Sequence, residues 1–419
     1  MRERQGILQN IDWLTVMLFL ALAIIGWINI YAAVYNEEHS SIFDFSQRYG
    51  KQLIWIFAAI GIAFVIVAID ASFFNTFAYL IYGISILSLL AVLLVGTEIA
   101  GSKSWFQFGG IAIQPAEFAK FATSLALAKY LSTFNVSLIR TRTKIVASAI
   151  ILLPSLLVLL QNDTGSALVY FIFIFVLFRE GLTGNILLVG FFVALLFVIT
   201  LLVNKLYILG VLLLGAVAIF YFMKRNRKNI ISLLALLVLA SGIVYSVDYT
   251  FENVLEPHHK KRINVLLGKE LDLHGAGYNV HQSKIAIGSG GLTGKGFLKG
   301  TQTKYDFVPE QDTDFIFCTI GEEWGYIGSL SVIALFMALI IRLIKLAERQ
   351  RSDFSRIYGY GVASIIFFHF TVNIGMTIGL LPVIGIPLPF ISYGGSSLWA
   401  FTILLFIFIR QDANRMQLL

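Results

Sequence analysis

The sequence predicts an all-α polytopic membrane protein of about twelve spans with one large extracytoplasmic loop, and three observations carry that expectation. Of 419 residues, 58% are hydrophobic and 13% charged, against about 45–50% and about 25% in soluble domains, and the mean hydropathy is +0.82. The apolar runs reach 17 to 23 residues without alternation, which excludes a closed barrel built from alternating segments of about 10 residues. Lysine and arginine alternate between rich and poor connections, as they do around membrane helices.

Spans are expected near 14–34, 52–69, 74–96, 115–134, 145–160, 166–179, 186–203, 207–223, 230–247, 327–345, 357–378 and 395–410. The first follows Met1-Arg-Glu-Arg4 and lacks a small-residue cleavage site, so it reads as a retained helix rather than a secretory signal. Segments 145–160 and 166–179 flank Gln161-Asn-Asp-Thr-Gly165 and can be read as two spans or as one broken span. With the N-terminus inside, seventeen basic residues fall in cytoplasmic segments, against Arg48, Lys51, Lys103 and Lys205 in short external loops. That bias favours two spans and places the polar insert 248–326 outside. A ten-span version without 207–223 and 230–247 has the same orientation. Cys318 is the only cysteine, which excludes an intrachain disulfide and a cysteine-built metal site. The net charge of +7 is largely topological and implies no nucleic acid.

In chain order, loop 35–51 reads as an ordinary solvated connection. Residues 97–114, rich in glycine and aromatics, are too short and polar to span; they suit an interfacial element with Trp105 at headgroup depth, or the lip of a lipid groove. Pro115 opens a helix where its missing N–H costs nothing. Glu117 and Lys120 lie three apart on it, either as a structural ion pair or with Glu117 steadying Lys120 against an anionic lipid headgroup. Asp163 precedes Thr164-Gly-Ser166 and suits a helix cap, or part of a cation or sugar site.

The insert carries glycines at 288, 290, 291, 294, 296 and 300, without Walker spacing. They imply a tight loop with positive φ, or backbone N–H groups open to an anion. His258, His259, His274 and His281 make no zinc signature, whereas a carboxylate site for a hard divalent cation stays open. Glu310, Asp312 and Asp314 lead into an apolar run, where partial burial would raise the carboxyl of Asp314 toward a base and a cation would lower it again. From Gly379 to Ser397, three prolines and four glycines forbid a regular spanning helix, so this backbone must be internal to protein or line a cavity.

Four strings, Gln114-Pro-Ala-Glu-Phe-Ala-Lys120, Gln282 to Gly291, Pro309 to Phe317, and Gly379-Leu-Leu-Pro through Ser392-Tyr-Gly-Gly-Ser396, resemble in order the signature regions of the SEDS family (shape, elongation, division and sporulation). Lys299 to Lys304 resembles its rod-shape branch more than its division branch. The resemblance implies a SEDS-type helical bundle with a ten-helix core, 204–247 being an added pair between helices 1–7 (1–203) and the catalytic loop 248–326, with the C-terminal helices at 327–419. It implies an inner-membrane peptidoglycan glycosyltransferase acting on lipid II and a polyprenyl diphosphate-linked glycan, with Mg2+ or Mn2+. Implied partners are a class B penicillin-binding transpeptidase (PBP2-like) and other elongation-complex membrane proteins.

The family's essential aspartate falls on Asp314, and its supporting residues on Trp105, Glu117, Lys120, Asp163 and Arg262, with Lys284, Glu310 and Ser392 in the matched strings and Asp312 beside Asp314 as a second metal candidate. Relatives often carry arginine where Ser104 stands, with Lys103 beside it, and histidine where Asp312 stands. The mechanism implied has Asp314 deprotonating the acceptor 4-hydroxyl, with Lys120, Arg262 or the cation neutralising the leaving diphosphate. A lipid II flippase and a non-catalytic scaffold for a penicillin-binding protein are the alternatives; no paired inverted repeat, as transporters use, is found in the sequence.

Overall fold

A computed structural model describes residues 10–36, 41–99, 101–109, 111–254, 260, 264, 276–305 and 307–415. Fifteen α-helices are named here: α1 (Trp13–Val34), α2 (Arg48–Ala68), α3 (Ala71–Thr76), α4 (Ala78–Val95), α5 (Pro115–Leu131), α6 (Thr141–Leu160), α7 (Thr164–Val169), α8 (Phe173–Arg179), α9 (Gly184–Leu202), α10 (Lys205–Phe222), α11 (Arg227–Tyr249), α12 (Ala276–Ser289), α13 (Ile316–Glu348), α14 (Asp353–Thr377) and α15 (Gly395–Ala413). Ten of them are long and apolar enough to cross a membrane; α5, with 17 residues, and the apolar stretch Thr164–Arg179 are shorter. Helices therefore occupy all twelve expected spans.

The two segments around Gln161 form a hairpin. Ser155 Oγ donates to Ala167 O at 3.1 Å, whereas a continuous helix would separate these residues by about 18 Å. The turn passes through Asn162 at φ +61°, and Asp163 accepts from Ser166 N at 2.9 Å to cap α7. A 3-10 turn over Tyr170–Ile172 joins α7 to α8.

Residues 97–113 depart from the all-helical expectation. They form a three-stranded antiparallel sheet, β1 (Thr97–Ile99), β2 (Ser102–Phe108) and β3 (Ile111–Ile113), with Ile99 opposite Ser102 and Phe106 opposite Ile113. Gly101 (φ +82°) and Gly109 (φ +60°) lie in its two turns, which is how a short polar-aromatic stretch closes its own hydrogen bonds at a membrane interface.

The chain divides into two compact units, Met1–Gly181 with Tyr278–Leu419, and Leu182–Gly277. The smaller unit starts before the expected helix pair and includes α9; Lys205 Nζ meets Asp248 Oδ2 at 2.7 Å, closing α10 and α11 into an antiparallel hairpin. Within the larger unit α5, α14 and α15 form the core. An 18-residue window of α14 is 72% buried and one of α15 83%, against 28% for α2, so the polar helices are those their neighbours cover.

α13 begins well before the expected span at 327 and is kinked at Gly325 (φ +65°). There residues 291–296 run against it: Lys295 N donates to Glu322 O at 3.0 Å, Gly296 N to Glu323 O at 3.0 Å and Tyr326 N to Gly291 O at 2.9 Å. A Cβ on Gly294 would stand 2.0 Å from Glu323 O. The glycine run is thus an accommodation of close backbone contact.

One end of the larger unit, the basic end, closes through ion pairs joining Asp12 to Arg342, Asp412 to Arg349, and Glu180 to Arg356. Burial pushes the Asp12 carboxyl up, but hydrogen bonds from Arg342 and Thr15 draw it below the ordinary aspartate value. The stabilisation is full above the unfolded-state value of about 4 and is lost as pH falls through the depressed folded value. Asp12→Asn should lower the thermal midpoint in detergent by a few degrees at pH 7, and its gap from wild type should close below about pH 4; a gap independent of pH would remove the ion pair as its cause.

Candidate active site

At the opposite end, residues 378–394 leave the helical pattern between α14 and α15. Their backbone polar groups find partners in side chains from the surrounding helices. Asn373 Nδ2 donates to Ile386 O at 2.7 Å and to the backbone oxygen of Asp314 at 2.8 Å. Ser392 Oγ accepts from Leu388 N at 2.8 Å and donates to Thr313 O at 2.7 Å. Tyr393 N donates to Asp312 O at 2.9 Å, and Gly394 N to Gln52 Oε1 of α2 at 3.2 Å. The Asp312–Asp314 turn and the irregular segment are therefore one hydrogen-bonded body.

Asp314 is half-buried at the mouth of α13. Its Oδ2 is 3.4 Å from where a Cβ on Gly385 would stand, and Gly385 has φ +69°. Glycine takes that left-handed backbone without strain. Lys284, exposed on α12, reaches the start of the same segment, its Nζ 3.6 Å from the Cβ position of Gly379. α12 is seated by Ser283 Oγ donating to Thr377 O at 2.9 Å and by Ala286 in a cluster with Val308, Phe315 and Cys318.

The neighbouring acids are already engaged. Asp312, 3% exposed, takes Arg48 Nη1 on both oxygens at 2.9 and 2.8 Å. Glu310 accepts Thr313 Oγ1 at 2.9 Å and sits at φ +57° in the turn. Among the described residues no group of three His, Cys, Asp or Glu side chains could hold a metal ion.

Glu117 and Lys120 are 4% and 2% exposed. Lys120 Nζ lies 2.6 Å from Glu117 Oε1 and 3.0 Å from His369 Nε2. His369 Nδ1 is 3.1 Å from Pro387 O, which can only accept, so Nδ1 carries the proton and Nε2 accepts from Lys120. This chain of contacts supports the irregular segment from behind and leaves the Lys120 ammonium enclosed. Asp163 Oδ2 accepts Gln114 Nε2 at 2.7 Å, and Gln114 N donates to Ser396 Oγ at 3.0 Å, which ties the α7 cap to the start of α15. Trp105, half-buried on β2, belongs to the sheet, which is tied to Gln161 O through Lys103 N and Ser102 Oγ. Ser104 is buried, its hydroxyl oxygen 2.9 Å from that of Ser102. Arg262, with His258, His259 and His274, lies outside the described residues.

Several structural partners in this site were not singled out from sequence. Glu322 is fully buried and accepts Lys295 Nζ at 2.6 Å, Thr301 N at 2.8 Å, Gln302 N at 2.9 Å and Thr303 N at 3.0 Å. Gln311 Nε2 donates to Thr303 O at 2.7 Å and Ala33 O at 2.8 Å, carrying that order to the turn before Asp314. The available signal was an acid or amide among apolar neighbours, which is costly unless it has partners.

A family model described as a cell cycle protein, for the FtsW, RodA and SpoVE proteins, matches residues 12–212 and 179–417. The chain is 33% identical over 416 residues to the peptidoglycan glycosyltransferase RodA of Treponema pallidum (strain Nichols), covering 93% of this chain and 94% of that protein. It is 35% identical over 343 residues to the peptidoglycan glycosyltransferase MrdB of Escherichia coli (strain K12), covering 81% and 79%. A solved structure described as "Structural coordination of polymerization and crosslinking by a peptidoglycan synthase complex" superposes with a TM-score of 0.72 at 28% identity, over 97% of this chain and 99% of that one.

Asn373→Ala should strip the carbonyls of Ile386 and Asp314 of their donor, at about 1–3 kcal/mol for the buried one at Ile386 and less for the other. The expected result is a lower thermal midpoint together with a large loss of activity; an unchanged midpoint would show that these bonds do not hold the segment.

Proposed function

This chain belongs to the SEDS family of peptidoglycan glycosyltransferases, and on that premise we propose that it polymerises lipid II into glycan strands, with Asp314 as the general base. The observation that supports this most directly is the setting of Asp314: a half-buried carboxylate beside Gly385, on a backbone held by Ser392 at Thr313 O and by Asn373 at its own carbonyl. A base must be placed to within a few tenths of an ångström of the proton it takes. Two hydrogen bonds from buried donors to consecutive residues supply that placement without using the carboxylate oxygens.

In the proposed reaction the 4-hydroxyl oxygen of lipid II attacks the anomeric carbon of a polyprenyl diphosphate-linked glycan. The C1–O bond to the diphosphate breaks, a β-glycosidic C1–O4 bond forms from the α-linked donor, and the hydroxyl proton passes to Asp314. One carboxylate suffices, because a diphosphate leaves as a stable anion and needs charge neutralisation rather than a general acid. Lys284, exposed on α12 beside Gly379 of the irregular segment, is the proposed protein cation for that anion. Lys120 is enclosed by Glu117 and His369, which suits it to positioning Pro387. The polyprenyl tails remain in the bilayer, which accounts for sugar chemistry on a protein that is nearly all membrane helix.

A divalent cation remains part of the proposal. With Asp312 held by Arg48 and Glu310 by Thr313, the side chains do not fit a protein-only cage; they fit an ion carried largely by diphosphate oxygens and water, as Mg2+ often is. Such an ion would supply charge neutralisation on the leaving group. We place the site on the periplasmic face of the inner membrane, following the basic-residue bias. A PBP2-like class B transpeptidase and other elongation-complex membrane proteins are the proposed partners.

Asp314→Asn in purified protein should abolish lipid II polymerisation while leaving the thermal midpoint within a degree or two of wild type. Near-normal glycan product, or translocated monomer in proteoliposomes without polymer, would sink the assignment. Lys284→Ala should reduce the rate by roughly 10- to 100-fold, as loss of one charge-assisted contact does. Chelation with EDTA should stop polymerisation and added Mg2+ or Mn2+ restore it; full activity in EDTA would remove the cation.

A further inference from the structure

The basic end holds a cavity of 460 Å³ between the C-terminal turn of α5 and the N-terminus of α14, far from the chemistry assigned to Asp314. Lys129, Ser132 and Thr133 line it from the first side, and Arg351, Ser352 and Asp353 from the second.

Its charges are unusual for this end, where Arg342, Arg349 and Arg356 each meet a carboxylate. Among the described residues neither Lys129 nor Arg351 has an acid within ion-pair distance; Lys129 Nζ instead donates to the neutral amide oxygen of Asn75 at 2.8 Å. The one acid lining the cavity, Asp353, is paired with Arg356 at 2.7 Å.

α14 is 25 residues long, and Arg356 N is its first amide to bond back, to Ser352 O at 3.0 Å. The N–H groups of the first turn have no helical carbonyl to meet, and the N-cap makes no side-chain bond to them. Ser352, one of the lining residues, is 6% exposed, and its hydroxyl has no hydrogen-bond partner. A buried hydroxyl left without a partner costs free energy, and one that stands beside open helix N–H groups and two uncompensated cations is completed by an anion with several acceptor oxygens. The volume is many times that of one water molecule, about 30 Å³, and admits a phosphate together with part of the molecule it esterifies.

We propose that this cavity binds a phosphate group, through Lys129, Arg351, the Ser352 hydroxyl and the first-turn amides of α14. The phosphate comes either from an anionic glycerophospholipid headgroup or from a soluble phosphate ester. Both cation-bearing segments lie at helix ends, and the basic-residue bias gives this end to the cytoplasm, where an anionic leaflet or soluble phosphate compounds are available.

The test uses the full-length protein in nanodiscs. Native mass spectrometry counts phosphatidylglycerol retained from mixed phosphatidylglycerol–phosphatidylcholine bilayers, and the thermal midpoint is followed with inorganic phosphate against chloride at equal ionic strength. In wild type, phosphatidylglycerol is retained preferentially or inorganic phosphate raises the midpoint; the first outcome gives a lipid source and the second a soluble one. Lys129→Gln with Arg351→Gln should weaken that response about tenfold and Ser352→Ala about threefold. Asp353→Asn, which removes the only lining acid, should strengthen it, a gain that a damaged fold would not produce. Wild type without either response, or variants that respond as wild type does, would overturn the proposal.

Discussion

A backbone that leaves the helix inside a membrane protein has no water to satisfy its amides and carbonyls, and the segment 378–394 is governed by that constraint. Its solution is a set of side-chain partners from otherwise apolar helices: Asn373 and His369 on α14, Gln52 on α2, and Ser392 within the segment itself. Each is buried. Each is expensive alone and finds these partners only in the assembled bundle, so the irregular segment and the helices around it specify one another.

The position of Asp314 is a consequence of that network. The Asp312–Asp314 turn supplies acceptors that Tyr393 N, Ser392 Oγ and Asn373 Nδ2 require, and it is pinned from outside by Arg48 on Asp312. Behind it, Glu322 gathers the amides of residues 301–303, and Gln311 joins them to the end of α1. A carboxylate with its backbone bonded on both sides is preorganised, with Gly385 beside it.

Much of this was legible from residue patterns, and the misses have physical causes. Apolar length located the helices, and the run of prolines and glycines identified 379–397 as irregular and internal. The sheet at 97–113 was not foreseen, because strands of three and seven residues give too little alternation to read. The early start of α13 was hidden by Gly321, Glu322, Glu323 and Gly325, a polar, glycine-bearing stretch that resembles a loop until the partners of Glu322 are known. The acids at 310, 312 and 314 look alike in sequence, yet Arg48, 264 residues from Asp312, separates them into a structural ion pair and a half-exposed carboxylate.

The sequence by itself determined the membrane class, the order of the helices, the family and the aspartate on which the chemistry is proposed to turn, because hydropathy and short motifs are local properties. Only the tertiary structure decided which polar groups are enclosed and which are presented. The Lys120 ammonium is enclosed between Glu117 and His369, Lys284 stands exposed beside Gly379, and Lys129 and Arg351 line a cavity whose one acid, Asp353, is paired with Arg356. That division depends on partners brought together from distant parts of the chain, and burial makes the presence or absence of each partner decisive.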